Sequence, residues 1–461
     1  MNTTEVLSKL ASGEPLFHEL PHISRKRIMG TETEFGVSEK VNGRLPVVLL
    51  NGGEMYIDAE HLEYASPEAS NAVAAVAYDQ AGKYLAMYGN YCSTLYAHNV
   101  DWHDSTFGGH ENYFTSAPRS VWPKLVPFLI ARTIMCGAGW FDPKGAYHIS
   151  QRARFITGID GQETTQNRTI INKRHEPLAG ILGWERLHVI CGDTTMMQCA
   201  CLLRLGTMSL VVEMLEQDAL PDVGYDQRYA ISDLHGISSS TSRWYMRGLR
   251  SRHRGVVNLL DKYLDRAREL YAGRDLVTDI VLAIWQDTLE HLEGDLRKLR
   301  RRIDWVAKMF LLEEFQASLS EDEKWTIDVR GWLQSQDLAY HALDPEKGLY
   351  MWLAQNGMVE RIVSDELIEY AQSNPPTDTR AFARGRMVRY LSKNHSGLRV
   401  CPGKWQELIV DHDTDESSVK PLRGDIFKQV ASNEMCDPYE PYSKVLCSMQ
   451  ERVAQRHRGS A

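Results

Sequence analysis

Short runs in which apolar and polar residues alternate dominate the chain from Arg27 to about Val212. Met55-Tyr-Ile, Tyr113-Phe-Thr, Ala146-Tyr-His-Ile and Arg186-Leu-His-Val-Ile-Cys have the composition of strands, and Gly-rich breaks separate them. From about Gly255 to Ser318 the period changes. Leu259, Leu260, Tyr263 and Leu264, then Ile280, Leu282, Ile284, Leu289 and Leu292, recur at helical spacing. Residues 1–26 read as a lead-in with a short helix, ending at Pro21. After the break at Pro375-Pro376 one more helix is expected to about Leu391, then a loop at Ser392–Gly397 and a strand-like unit at Leu398–Asp411. A terminal helix is expected near Arg423–Met435, and the polar tail from Gln450 is expected to fray. The pattern predicts an α+β fold, with an antiparallel or mixed sheet and helices on one side. The main domain spans 27–391 and a small C-terminal domain spans 392–461.

The 461 residues are 43% hydrophobic and 25% charged, as in ordinary globular chains. A net charge of −9 disfavours nucleic acid as a partner. No apolar run approaches the length of a membrane span, and MNTTEVLSKLASGEPLF lacks the basic-then-apolar order of a secretory signal. The eight cysteines show no CxxC pair and read as free thiols in a reducing cytoplasm.

Acidic residues on strand faces change this bland picture. In Arg27-Ile-Met-Gly-Thr-Glu-Thr-Glu-Phe-Gly-Val37 a period of two puts Glu32 and Glu34 on one face and Thr31, Thr33 and Phe35 on the other. Side-by-side carboxylates repel, and a hard divalent cation such as Mg²⁺ offsets that repulsion. After the Asn51-Gly52 turn, Glu54, Tyr56 and Asp58 share a strand face, with His61, Glu63 and Glu68 following. Asp58 and Glu63 are candidates for catalysis or metal binding, and Ser66 before Pro67 is a candidate helix N-cap. In Asp104-Ser-Thr-Phe-Gly-Gly-His-Glu-Asn-Tyr113, His110 and Glu111 either meet a metal or phosphate or form a structural turn. Arg152, and the run Ile170-Ile-Asn-Lys-Arg-His-Glu176, place cations where they suit a nucleotide phosphate. Arg186 and His188 share a face of their strand; His188 is either a core histidine or part of the site. No Walker A, GxGxxG or GxSxG motif is present, so an ATP site here would be a sheet lined with carboxylates and arginines.

The runs MGTETEFG, NGGEMYIDAEHLEYASPE, FGGHENYF, SQRARF, IINKRHEP, RLHVICGD, DWVAKMFLLE and NPPTDTRAFARG resemble, in order from about Arg27 to Phe427, the Pup ligase and Pup deamidase/depupylase family. The resemblance implies a glutamine-synthetase-like, carboxylate–amine ligase fold, with a curved sheet that cradles ATP and a small C-terminal domain. It implies Mg²⁺ at Glu32, with Glu34 beside it, and at Tyr56 and Glu63. It implies a catalytic Asp58, proton acceptor in the ligases and nucleophile or base in the depupylases. Ser66 and Trp405 match ATP positions, and Arg152, Arg186 and His188 join them as candidates. Where the family reads Arg before the metal tyrosine, this chain has Glu54, a charge reversal that would repel phosphates without a compensating cation.

The implied partners are Pup or a Pup-like small protein, proteins carrying it on lysines, and a proteasome pathway. The four residues between Asp58 and Glu63, and the segments Gly348-Leu-Tyr, NPPTDTRAF and Pro421-Leu-Arg-Gly, resemble depupylases. Only Ser38 to Leu49 fills the gap where depupylases carry a long loop. A Pup deamidase or depupylase is therefore expected, with three alternatives. These are a Pup–protein ligase, a divergent carboxylate–amine ligase or phosphotransferase, and a non-catalytic binder. The basic run Arg243-Trp-Tyr-Met-Arg-Gly-Leu-Arg-Ser-Arg-His-Arg254 is a candidate docking surface for acidic Pup, and Arg297–Arg302 reads as a solvated helix face.

Overall fold

Among the described residues, nine strands form the main sheet of the computed structural model, in the order β2-β3-β4-β1-β6-β11-β10-β9 with β5 paired to β1. They are β1 (Met29–Val37), β2 (Val47–Val48), β3 (Glu54–Asp58), β4 (His61–Ala65), β5 (Leu95–Tyr96), β6 (Gly109–Thr115), β9 (Gly158–Gly161), β10 (Thr169–Asn172) and β11 (Glu185–Val189). β7 (Trp140–Phe141) pairs with β8 (Tyr147–His148), and β12 (Leu398–Val400) with β13 (Val410–His412). Every pairing is antiparallel except β9 with β10. The structure describes residues 1–461 except 24, 102, 104, 164, 175–182, 251–254, 320–325, 396, 404, 406, 413–434, 460 and 461.

Alternation gives the central strands two unlike faces. Met29, Tyr113, Leu187 and Val189 belong to one apolar core with the helices Ala72–Tyr88 and Gln198–Glu216. The opposite face carries Glu32, Glu34, Glu63, His110, Asn112, Arg186 and His188. The fold is α+β, with the polar face left for chemistry. Gln198–Glu216 is long and apolar enough to cross a membrane by length and composition, and 94% of its apolar window is buried inside the protein.

Three terminal features depart from the pattern-based expectation. The helix that starts after Ser66-Pro67 is capped by Asn71, whose Oδ1 accepts from Ala74 N at 2.9 Å; Ser66 is not its N-cap. The tail does not fray at Gln450, because the helix Ser443–Gly459 continues through it. Leu446, Met449 and Val453 bury against Met387 and Leu391 in a separate apolar cluster, which holds the last turns. That cluster includes Ala383, so the expected division at residue 391 cuts through the helix Ala381–Asn394. The helix expected at Arg423–Met435 lies outside the described residues up to position 434.

Candidate active site

The strand register assembles an acidic row. Glu34 stands opposite Glu63, and Glu63 opposite Tyr56. The Tyr56 hydroxyl donates to Glu63 Oε1 at 2.6 Å. Glu34, Asp58 and Glu63 each offer an oxygen within 4.8 Å of the others. Glu34 and Glu63 are buried, whereas Asp58 is exposed at the end of β3. Burial, and then the charges of Glu32 and Glu34, hold the Glu63 carboxyl well above the usual carboxylate range. Burial and Glu63 likewise push the Tyr56 phenol upward. A crowded all-oxygen donor set with one carboxyl forced toward its neutral form is what a hard divalent cation relieves, so these residues fit Mg²⁺.

A second cluster adjoins the first. Glu32 Oε2 lies 3.2 Å from His110 Nδ1 and 3.3 Å from His188 Nε2. Burial opposes the Glu32 charge, yet His188, His110 and Arg186 hold its carboxyl well below the usual range. Burial takes the His188 imidazole down to about 4, so it is neutral at pH 7. Its Nε2 is buried and faces the cluster. Two imidazoles and one carboxylate suit a borderline divalent cation.

Beside these clusters opens a cleft. Gly30, Thr31, Ser66, Asn112, Phe114, Arg186, Arg380 and Trp405 are among its lining residues. Ser66 Oγ accepts from Thr31 N at 2.9 Å, which ties the two strand ends that form one wall. Arg186 donates to Asn112 Oδ1 at 2.9 Å and to Glu32 Oε1 at 3.3 Å, linking the cleft to the second cluster. Trp405 packs on Arg384, with the guanidinium carbon 4.5 Å from the ring centroid, and its carbonyl accepts from Arg384 at 3.1 Å. Aromatic walls beside cations and carboxylates make a site able to hold a base and its phosphates.

Glu54 shares the β3 face with Tyr56 and Asp58 but is bonded outside the acidic row. Both its oxygens accept from Gly403 N, at 2.8 and 2.9 Å. Burial pushes it up to about 7, against the Gly403 N–H and Arg384, which lower it. Glu68, a further cleft residue, is clamped by Arg380 Nε at 2.5 Å and by Arg384. Burial opposes its ionisation, but the two guanidiniums take the carboxyl down to about 2.

The structure therefore brings together Glu32, Glu34, Tyr56, Asp58, Glu63, Ser66, His110, Arg186, His188 and Trp405. Glu111 is excluded: it points to the reverse face, where Arg132 donates to it at 2.7 and 3.0 Å. Adjacent strand residues point oppositely, so His110 and Glu111 cannot serve one site. Arg152 is also turned away from phosphate, its guanidinium taken by Ile190 O at 3.0 Å and by Phe107 O. His188 joins the metal-type cluster instead of lining the cleft. Of the run from Ile170, His175 and Glu176 lie outside the described residues, as does Asp104. In the basic stretch, Trp244 is buried against Trp305, with ring centroids 6.1 Å apart, whereas Tyr245 is exposed; residues 251–254 are not described. Arg302 of the second basic run is likewise buried, paired with Glu360 at 2.6 Å.

Arg380, Arg384 and Phe114 are not singled out by the sequence pattern, which places Glu68 after Glu63 without a role. Phe114 follows Asn112 by two on one strand, and Arg380 and Arg384 stand four apart at the start of a helix; those spacings are the legible signals.

The family model of the Pup-ligase protein matches residues 41–409. The depupylase of Acidothermus cellulolyticus is 34% identical, over 83% of this chain and 79% of its own length. The Pup–protein ligase of Kribbella flavida is 33% identical, over 81% of this chain and 92% of its own. The solved complex between Pup and its ligase PafA superimposes with a TM-score of 0.78 at 27% identity, covering 93% of both chains. PafA in complex with ADP gives 0.75 at 27% identity, over 90% and 91%.

Proposed function

The chain belongs to the Pup-ligase family, and on that premise we propose that it is an ATP- and Mg²⁺-dependent enzyme acting on the side chain of the C-terminal Gln or Glu of Pup, in the deamidase/depupylase direction. The observation that carries the reading is the exposed Asp58 carboxylate, set within 4.8 Å of Glu34 and Glu63. An exposed carboxylate beside buried ones is free to attack an acyl carbon or accept a proton while its neighbours bind. Glu34, Tyr56 and Glu63 would hold Mg²⁺, with Glu32, His110 and His188 as the adjoining cation set. Ser66, Arg186 and Trp405 would hold the nucleotide. When bound, Mg²⁺ would supply positive charge, and the nucleotide orientation, at the reacting carboxyl or amide. Asp58 then acts at the scissile bond, and Tyr56 keeps Glu63 oriented through its hydroxyl.

The turn between β3 and β4 supports the direction. Ala59 and Glu60 both have positive φ, 44° and 78°, in a two-residue turn that pairs Asp58 with His61 and Tyr56 with Glu63. A longer connection, as in the ligases the sequence resembles, would alter this turn. The ligase reading is favoured by one feature, the short connection from Ser38 to Leu49. The setting we infer is the cytoplasm, with pupylated proteins as substrates and proteasomal turnover as the pathway.

The test is incubation of the full chain with ATP, Mg²⁺ and three probes, read by mass. The probes are Pup ending in Gln, Pup ending in Glu with a lysine-bearing protein, and a Pup conjugate. Deamidation or release of Pup is expected. New conjugates would overturn the direction, and no reaction with any probe would overturn the Pup reading.

A further inference from the structure

Glu54 is the one acidic residue of the β3 face that is bound to the C-terminal part of the chain and not to the acidic row. It is buried, and both its oxygens meet a single donor, Gly403 N. Gly403 has φ +73°, a conformation that favours glycine, and it precedes Trp405 by two residues. The same turn provides a second anchor. Gly52 O accepts from Arg384 Nε at 3.1 Å, and Arg384 in turn holds the Trp405 carbonyl and ring. In the register Glu54 stands opposite Ala65, and Ala65 opposite Glu32, both of which line the cleft with Trp405. The hairpin thus reaches Gly403 directly through Glu54, and Trp405 indirectly through Arg384.

We propose that Glu54 is a positioning residue: its carboxylate holds Gly403 N–H and so sets the Trp405 ring as a wall of the nucleotide cleft. The inference rests on the nucleotide reading above. It gives the acidic side chain a role opposite to that of a charge facing phosphates. As a bare charge it would weaken nucleotide binding, and neutralising it would tighten binding. As a tether it strengthens binding through Trp405, and losing it weakens binding.

The experiment measures Mg²⁺-ATP affinity by calorimetry for wild type, Glu54→Ala, Glu54→Gln, Trp405→Ala and the double variant Glu54→Ala/Trp405→Ala. Glu54→Ala is expected to raise Kd about 10-fold, the equivalent of one lost charge-assisted hydrogen bond. Glu54→Gln keeps an acceptor for Gly403 N–H and recovers most of the affinity. In the Trp405→Ala background, Glu54→Ala adds less than about twofold, since the residue it acts through is gone. Equal losses in both backgrounds, or tighter binding by Glu54→Ala, would overturn the tether. Absence of ATP binding by wild type would overturn the nucleotide reading and the tether with it, a result distinct from additive losses.

Discussion

Asp58 differs from its neighbours in what it is free to do. Glu34 and Glu63 are buried, and Glu32 is engaged by His110, Asn112 and Arg186, whereas Asp58 is exposed at a strand end. On the proposed reading, Glu34 and Glu63 bind and Asp58 reacts. Asp58→Asn is expected to lower kcat by about 10²–10⁴-fold and leave Mg²⁺-ATP affinity unchanged, checked by turnover and calorimetry. At this scale much was legible, because the period of two places Glu32 with Glu34 and Tyr56 with Asp58. The same rule, applied to His110 and Glu111, separates them, and Glu111 belongs with Arg132 in the core. What no local pattern held was the destination of Arg152, whose carbonyl partners come from other segments.

Elements impose the register that the residues need. The Ala59-Glu60 turn has positive φ at both positions although neither residue is Gly or Asn. Each such residue costs roughly 1–2 kcal/mol in that region. Ala59→Asn with Glu60→Gly suits the turn type, and is expected to stabilise the fold by about 1–2 kcal/mol in urea titrations while Mg²⁺ binding is retained. Strands and helices were readable where their period was strong, as in β1, β3, β11 and the helices from Val256 to Ala317. The sheet order was not, because β1, β6 and β11 pair over long sequence separations. The tail was misread as fraying because its few apolar positions, Leu446, Met449 and Val453, bury in a cluster built from distant segments, a contact that a polar local sequence conceals.

Across the whole molecule, Glu68 joins the catalytic sheet to the C-terminal part through Arg380 and Arg384. Its carboxyl is depressed from 4.5 to about 2, so its contribution is fully present above the unfolded value, near pH 4.5. The contribution is lost as pH falls toward 2. Glu68→Gln leaves two guanidiniums without their charge partner, and is expected to cost about 3–5 kcal/mol at pH 7. The difference from wild type should shrink between pH 4.5 and 2 in denaturant titrations. This clamp was hidden in the sequence because its partners lie 312 and 316 residues apart. Only the i, i+4 spacing of the two arginines hinted at a shared target.

The account stands on the polar face of the sheet being a Mg²⁺-nucleotide cradle. The direct measurement is calorimetric titration of ATP into wild type and Glu32→Gln, with and without Mg²⁺. Binding that needs Mg²⁺ and weakens about 10-fold or more in Glu32→Gln is the predicted result. ATP binding that is indifferent to Mg²⁺, or unchanged in Glu32→Gln, would contradict it.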